Sequence, residues 1–146
     1  MRVKLKFPDE KPCIIYPFSV RITDLNYGNH VGNDTMLRYA HEARMFFLKS
    51  HGMDELHAGG TSLIMADAQI AFKHEAFYGD ELIAELYIED MSDRFFNLLY
   101  RIYKIEQGKG LDVAHIKTGM VCFDYDTRKT VTMGEGLKNL LLSFKN

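Results

Sequence analysis

The stretch Asp24-Leu25-Asn26-Tyr27-Gly28-Asn29-His30-Val31-Gly32-Asn33-Asp34 decides how the rest of this chain is interpreted. Its asparagines, glycines and aspartates tolerate the backbone angles of tight turns, so the stretch predicts a loop. It leads into the best helical pattern in the sequence, for which Asn33 or Asp34 can supply the N-cap and Ser50 is the expected end. The apolar stripe of that helix recurs at helical spacing and consists of Met36, Ala40, Ala43 and Phe47. We therefore expect one central helix directly after a polar loop.

Strand patterns surround this helix. Before the loop, residues 13–23 are typical of a strand, and Pro17 within it suits an edge position. After the helix, alternating apolar and polar residues predict four strands that form a meander, over 66–73, 81–89, 95–106 and 111–125. A short helix is expected over 135–144. Because the helices are segregated from the strands, the predicted fold class is α+β, with a largely antiparallel, five- to six-stranded sheet wrapped around one long helix.

Length and composition restrict the class of protein. The 146 residues correspond to one domain, over 1–146, and 47% of them are apolar, which is enough for a packed core. A formal net charge of −2 offers no electrostatic basis for binding nucleic acid or an anionic membrane. No apolar run approaches the ~20 residues that a membrane span requires. The two cysteines, Cys13 and Cys122, suggest no disulfide framework, so we expect a reducing, cytoplasmic compartment.

The common catalytic and cofactor motifs are missing from the sequence. Ser62 lacks the final glycine of a nucleophile elbow, and no phosphate-binding P-loop occurs. The pairs His41-Glu42 and His74-Glu75 lack the second histidine of a zinc-binding H-E-x-x-H motif. The other histidines show no metal-ligand spacing. We therefore predict neither a metal site nor an organic cofactor.

The polar loop itself carries the main chemical signal. The N-terminus of a helix presents free backbone N–H groups and a positive dipole end, which stabilise a carbonyl oxygen that develops negative charge. His30 lies a few residues earlier, and histidine is the residue type best suited to accept a proton near neutral pH. A carbonyl-polarising group and a base are the minimum for hydrolysing an activated ester. The alternative is structural: the Asn and Asp residues cap the helix, and His30 is a hydrogen-bonded strut.

Four short motifs together resemble a known family. They are Asp24-Leu25-Asn26, His30-Val31-Gly32-Asn33, Glu42-Ala43-Arg44 and Tyr78-Gly79-Asp80, and the likeness extends over about residues 16–126. In motif, spacing and order of elements the chain resembles the hotdog-fold acyl-CoA thioesterases of the 4-hydroxybenzoyl-CoA type. The resemblance implies a hotdog fold and hydrolysis of an acyl-CoA to a free acid and CoA.

The resemblance assigns roles to residues of the loop, with one departure. Many members carry a catalytic carboxylate where this chain has Asn26, and an amide can orient water but cannot take a proton or attack. His30 falls on the histidine of the plant acyl-carrier-protein thioesterases, whereas Gly28 replaces the asparagine with which that histidine shares the site. The backbone N–H that polarises the carbonyl in the family corresponds to Asn33 or its immediate neighbours.

Three residues are candidates for the base that activates water. His30 matches a motif position of the family. Glu75 lies in a connection between two strands that run near the substrate in the family, where it can approach Asn26 of the partner subunit. The alternative for Glu75 is a solvated loop charge. Asp24 is the third candidate, although a turn-stabilising role suits it better.

The resemblance also places the substrate between helix and sheet at a dimer interface. Lys73 or Arg94 is a candidate for contacting the phosphates of CoA, whereas Glu42 and Arg44 are expected to form structural hydrogen bonds. The candidates for lining an acyl tunnel lie on the central helix, where such a stripe is more often plain core: Met36, Tyr39, Phe46 and Phe47.

We thus predict a cytoplasmic homodimer or homotetramer, because the outer face of the sheet is expected to expose Tyr, Met and Phe side chains. It hydrolyses an acyl-CoA thioester, and CoA enters only as part of the substrate. The main alternative is a hotdog protein that binds an acyl thioester without hydrolysing it, which Asn26 favours. A dehydratase or hydratase of the same fold ranks below both, because it requires a differently arranged pair of Asp and His.

Overall fold

Helix α1 extends over Asn33–Lys49 and confirms the helix predicted from the sequence. The computed structural model describes residues 2–145. The predicted capping is wrong, because the N-cap residue is Gly32, which forms no side-chain hydrogen bond, and Asn33 is already helical.

Within residues 2–145, six strands form one antiparallel sheet. They are β1 (Ile14–Ser19), β2 (Ser62–Phe72), β3 (Glu81–Glu89), β4 (Phe95–Glu106), β5 (Lys109–Asp124) and β6 (Lys129–Thr130). The strand order is β1-β3-β4-β5-β2, and the short β6 pairs with β5. A second helix, α2, spans Glu135–Leu142. The predicted α+β class is confirmed. Neither helix of the described part has the length and apolar character needed to cross a membrane.

Strand β2 pairs with β5 and not with β3, so the predicted meander of four consecutive strands is wrong for this strand. The chain leaves β2 at Phe72 and crosses to β3 through residues 73–80, which we call the β2–β3 connection. An alternating pattern reports the face that a side chain occupies, but it does not report which strand lies alongside. Strand β1 pairs with β3 at the opposite edge, which agrees with the edge position expected from Pro17.

The inner face of the sheet and α1 enclose the core. Ala40 and Ala43 of the helix are fully buried, which lets its backbone approach the strands closely. The helix packs against β1, β3 and β5. Each large apolar side chain buried there contributes on the order of 1.5–3 kcal/mol. The inward-facing apolar residues of β3 and β4 are at most 1% exposed: Leu82, Ala84, Leu86, Ile88, Phe96, Leu98, Tyr100 and Ile102.

The N-terminal segment lies on the outer face of the sheet. Phe7 contacts Tyr87 and His115 edge-on, with ring centroids 5.4 Å and 5.0 Å apart. Tyr87 is buried as a result. The expectation of an open outer face is therefore wrong around Tyr87, because the chain's own N-terminal residues cover it. Phe95 and Ile105 remain exposed.

Candidate active site

Leu25 and Val31 pair as an antiparallel bridge and close the polar loop between them. The N–H of Asn26 donates to the carbonyl of His30 over 2.9 Å. The Asn26 side chain also shapes this loop, since its Oδ1 accepts the N–H of Gly28 at 2.9 Å. Several polar groups of this loop therefore form hydrogen bonds within the loop itself.

The imidazole of His30 has a defined orientation. Its Nδ1 lies 3.0 Å from the carbonyl oxygen of Val31. A carbonyl can only accept, so in the neutral ring Nδ1 carries the hydrogen and Nε2 keeps its lone pair. A side chain at Gly28 would crowd this atom, because its Cβ would lie 3.2 Å from Nε2. The hydrogen bond gives His30 the strut role of the structural alternative, and it also leaves Nε2 able to accept a proton.

One cavity of about 170 Å³ brings together three of the predicted site residues. Its lining includes His30, Asn33 and Glu75, and Met36 adds apolar surface. The volume is below the roughly 300–1,000 Å³ of typical small-molecule pockets. The cavity therefore suits the reacting group of a substrate rather than a whole acyl-CoA.

The first turn of α1 carries free donors beside this cavity. The N–H of Gly32 donates to the Asp24 carbonyl, and the N–H of Thr35 donates to the Gly32 carbonyl, each over 3.1 Å. In the described part of the chain, the N–H groups of Asn33 and Asp34 have no hydrogen-bond partner. They lie at the positive end of a 17-residue helix. This arrangement suits an oxygen atom that gains negative charge.

Glu75 lies in the β2–β3 connection with an exposed side chain. Across residues 2–145, its carboxylate forms no ion pair and accepts no hydrogen bond. The backbone is held firmly: Lys104 Nζ donates to the Glu75 carbonyl at 3.2 Å, and the N–H of Val31 donates to the Ala76 carbonyl at 2.9 Å. The main chain thus fixes Glu75 at the cavity, while the carboxylate is free to bind water.

Asp24 stabilises the loop and is absent from the lining of the cavity. Its carboxylate is buried and accepts the N–H of Arg21 at 2.9 Å and the hydroxyl of Tyr39 at 2.7 Å. Burial alone would raise the pKa of this carboxyl, but the hydrogen bonds from Arg21 and Tyr39 outweigh it and hold the pKa below its usual value. The bond to Arg21 closes a 3₁₀ turn over Ile22–Asp24, so the strand predicted over 13–23 is shorter than expected.

The sequence profile of the thioesterase-like superfamily matches residues 20–141. The chain belongs to this superfamily. A 1,4-dihydroxy-2-naphthoyl-CoA hydrolase from Microcystis aeruginosa is 31% identical to it over 109 residues, which cover 73% of this chain and 76% of the relative. The recognition of the thioesterase family from the loop motifs is thereby confirmed.

Solved structures share the architecture of this superfamily member. A 1,4-dihydroxy-2-naphthoyl-CoA thioesterase from Synechocystis superposes with a TM-score of 0.78 at 24% identity, covering 90% of this chain and 97% of that one. A Staphylococcus aureus protein solved in complex with CoA gives a TM-score of 0.81 at 16% identity, covering 96% and 87%. At these identities the likeness establishes the fold alone, and the predicted hotdog fold is confirmed.

In this member of the thioesterase-like superfamily, Asn26 stands where the resemblance predicts a catalytic carboxylate. It is not among the residues that line the cavity with His30, and its Oδ1 accepts the N–H of Gly28. The structure brings His30, Asn33 and Glu75 to one cavity. The Asn26 side chain lies close to His30, because a Cβ atom at Gly28 would lie 3.2 Å from His30 Nε2 and 3.3 Å from Asn26 Oδ1. The contacts that Asn26 makes are those of a residue that forms a turn.

The residues proposed for an acyl tunnel occupy different places. Met36 lines the cavity of His30. Tyr39 lines a second cavity of about 250 Å³ between β1 and α1. Phe47 is buried in the core, whereas Phe46 is exposed. These side chains do not line one common cavity within the single chain, and the tunnel predicted at a dimer interface stays a prediction.

The structure also separates the two cations proposed for the CoA phosphates. Lys73 lines the cavity. Arg94 instead donates to the carbonyl of Thr130, at 3.0 Å, on β6. Arg44 forms the structural hydrogen bonds that the sequence predicted, to Glu55 and to the hydroxyl of Tyr100.

Lys104, which holds the Glu75 carbonyl, was missed at the level of the sequence. A signal was present, because Lys104 extends the alternating row of inward-facing residues 96–102 of β4. A charge at a position where an apolar side chain is expected indicates specific partners.

Proposed function

We propose that this chain hydrolyses an acyl-CoA thioester to a free acid and CoA. The observation that carries the proposal is the single cavity whose lining combines His30, Asn33 and Glu75. A donor for the carbonyl oxygen and an acceptor for the proton of water lie within one small volume. The relative that is 31% identical is named a hydrolase of a CoA thioester, which supports the same chemistry.

In the proposed reaction, the carbonyl oxygen of the thioester accepts hydrogen bonds from the free N–H groups of Asn33 and Asp34. Water attacks the carbonyl carbon and gives a proton to Nε2 of His30 or to the carboxylate of Glu75. The tetrahedral oxyanion then collapses, the C–S bond breaks, and the departing thiolate of CoA takes that proton. Asn26 acts indirectly, by holding the loop through the N–H of Gly28.

We propose that neither a metal ion nor an organic cofactor takes part. The free N–H groups of the helix N-terminus supply the positive potential that a metal ion provides in other hydrolases. CoA enters only as part of the substrate. The cytoplasm is the proposed compartment, with which the free thiols of Cys13 and Cys122 are compatible.

We further propose a homodimer, alone or within a homotetramer. Strand β2 forms one edge of the sheet, and its residues 65–69 are all exposed, with Met65 44% exposed. Edge strands with exposed apolar side chains are commonly paired or covered. Phe72 and Lys73 line the cavity at the end of this edge, so a second copy bound along β2 would border the site. Light scattering after size exclusion should give a dimer or tetramer, and a monomer would contradict this proposal.

The alternative is a protein that binds an acyl thioester without hydrolysing it. Asn26 favours this alternative, because an amide replaces the carboxylate that many family members use and cannot accept the proton of water. The same cavity would then hold the thioester carbonyl at the helix N-terminus without turnover.

Release of free thiol from a panel of acyl-CoAs tests the two functions. The panel contains short-chain, long-chain and aromatic acyl groups, including the 1,4-dihydroxy-2-naphthoyl-CoA for which the relative is named. Calorimetric binding of a non-hydrolysable thioether analogue runs in parallel. Hydrolysis requires turnover of at least one acyl-CoA; binding of the analogue without turnover would establish the alternative instead.

A further inference from the structure

Lys104 is a buried charge on the inner face of the sheet. It continues the inward-facing row of β4 that includes Leu98, Tyr100 and Ile102, and only 6% of the residue is exposed. Taking an ammonium group out of water costs several kcal/mol unless the group is paired and hydrogen-bonded. A lysine at this position therefore indicates contacts that an apolar residue would not make.

Three oxygen atoms surround the ammonium group of Lys104. The carbonyl oxygen of Glu75 lies at 3.2 Å, Oδ2 of Asp80 at 3.0 Å and Oε1 of Glu106 at 3.2 Å. The ring centroid of Phe77 lies 5.3 Å from Nζ, within the range of a cation–π contact. Only Glu106 among these partners lies outside the β2–β3 connection. The ammonium group thus binds the connection from within the sheet.

Lys104 is charged in this environment. Burial lowers the pKa of the ammonium group, but the hydrogen bonds and negative charges of Asp80 and Glu106 outweigh burial and raise the pKa above its usual value. Oδ2 of Asp80 also accepts the N–H of Phe77 at 2.9 Å. Lys104 and Asp80 together therefore brace the connection.

The connection is held from its other side by the polar loop. The N–H of Val31 donates to the carbonyl of Ala76, and Lys104 binds the carbonyl of the preceding residue, Glu75. Two consecutive carbonyl groups are thereby fixed, one by a neutral donor and one by a charge. The contact of Lys104 is charge-assisted and the backbone contact of Val31 is the shorter one, so both anchors contribute to the backbone position at Glu75.

We propose that Lys104 is a positioning residue for thioester hydrolysis: its ammonium group holds the carbonyl of Glu75 and so keeps the Glu75 carboxylate in the cavity with His30 and Asn33. The inference rests on the proposed function, in which that carboxylate acts on water. Lys104 works through Glu75 and touches neither the substrate nor the attacking water.

Matched variants separate this role from a general effect on stability. Lys104→Met keeps the unbranched stem and removes the charge, whereas Lys104→Arg keeps a charged donor. Glu106→Gln is the control, because it weakens the contact of Lys104 that lies outside the connection. Glu75→Gln, alone and combined with Lys104→Met, shows whether Lys104 acts through Glu75. If Lys104→Met does not fold, Asp80→Asn takes its place.

We expect Lys104→Met to lower kcat by ~10²-fold, the loss typical of a misplacement of about 1 Å, with a much smaller change in KM. In the Glu75→Gln background the same substitution causes no further loss. Lys104→Arg recovers part of the activity, and Glu106→Gln keeps the parent kcat. Hydrogen exchange at the amides of residues 74–77 becomes faster in Lys104→Met, while the strands keep their protection.

Parent-like kcat in Lys104→Met, or an equal loss with and without Glu75→Gln, overturns the inference. A failure of the proposed function gives a different pattern, in which the parent releases no thiol from any acyl-CoA. In that case hydrogen exchange is the measurement that tests whether Lys104 holds the β2–β3 connection. Exchange at residues 74–77 that is the same in Lys104→Met as in the parent rejects this contact. An active parent with a fully active Glu75→Gln variant removes Glu75 from the mechanism, and the role of Lys104 is rejected with it.

Discussion

The main-chain N–H of Val31 donates to the carbonyl of Ala76 over 2.9 Å, and this bond joins the loop of His30 to the connection of Glu75. The two candidate bases lie far apart in the sequence, yet one backbone contact between their immediate neighbours holds both at the same cavity. Neither side chain takes part in that contact. Both therefore remain available for chemistry, and substitution of either leaves the contact in place.

Substitution of either candidate base should lower turnover. We expect His30→Ala and Glu75→Gln each to reduce kcat, with the larger loss, ~10²–10⁴-fold, for the residue that takes the proton. Steady-state thiol release with a reactive acyl-CoA measures both. The stability of Glu75→Gln should stay within about 0.5 kcal/mol of the parent, because the exposed carboxylate has no partner in residues 2–145.

His57→Ala and Glu135→Gln are the matched controls for these two substitutions. Both residues are exposed and lie outside the cavity, so we expect the parent kcat. Parent-like turnover in both His30→Ala and Glu75→Gln would show that the base lies elsewhere.

The hydrogen bond from the N–H of Gly28 to Asn26 Oδ1 predicts that alanine and aspartate act differently at this position. Asn26→Ala removes the acceptor and should cost about 1 kcal/mol of stability, with a loss in kcat of up to ~10²-fold as His30 is displaced. Asn26→Asp retains an acceptor and should keep the parent stability. Denaturant unfolding and thiol release measure the two effects. An Asn26→Ala variant with full activity would remove Asn26 from the site, whereas a large gain in Asn26→Asp would favour the binding protein that lacks its carboxylate.

The sequence predicted which residues form helices and strands better than it predicted which strands lie side by side. The bounds of α1 followed from its apolar stripe and from the turn residues on either side. The place of β2 beside β5 could not be predicted, because alternation is the same whichever strand pairs with it. The burial of Tyr87 under Phe7 depends on a contact between distant segments that leaves no periodic signal.

The candidate site was also predictable only in part, because contacts between distant segments leave no local signal in the sequence. His30 and Asn33 belong to one loop and one helix start, so their proximity follows from local sequence. The family resemblance predicted Glu75 near the substrate and beside Asn26 of the partner subunit, and its place beside His30 and Asn33 of the same chain was not predicted. The engagement of Asn26 Oδ1 by Gly28 and the contact of Lys104 with Asp80 depend on backbone geometry that residue types alone do not specify.

Two glycines with the same backbone conformation should respond differently to alanine. Gly59 and Gly52 have φ values of 61° and 71°, so each substitution costs about 1–2 kcal/mol for the left-handed conformation. A Cβ atom at Gly52 meets open space, whereas one at Gly59 overlaps the backbone of Leu137 at the start of α2. Gly59→Ala should therefore lose a further ~1–3 kcal/mol. Urea unfolding measures the difference in the free energy of unfolding between the two variants, provided that the dependence on urea concentration has the same slope in both. Equal midpoints for Gly52→Ala and Gly59→Ala would contradict the packing of α2 on the turn at Gly59.

The ionised carboxylate of Asp24 predicts a pH-dependent contribution to stability. Its pKa in the folded protein is held below the ordinary value of 3.8 by the N–H of Arg21 and the hydroxyl of Tyr39, against the opposing effect of burial. A carboxyl with a depressed folded pKa stabilises the fold above its unfolded pKa, and this stabilisation is lost as the pH falls through the folded pKa. Asp24→Asn should thus cost about 2 kcal/mol at pH 7, the scale of hydrogen bonds to a charged group.

The cost of Asp24→Asn should shrink as the pH falls below 3.8, because the carboxyl of the unfolded parent takes up a proton first and that of the folded parent follows at lower pH. Denaturant unfolding of parent and variant at neutral and acid pH measures this difference. Asp34→Asn is the control, since that carboxylate is exposed at the start of α1 and lies 3.9 Å from Arg38, so its cost at pH 7 should be the smaller of the two. A cost for Asp24→Asn that stays constant from pH 7 to acid pH would show that shape, and not charge, is what the loop requires of Asp24.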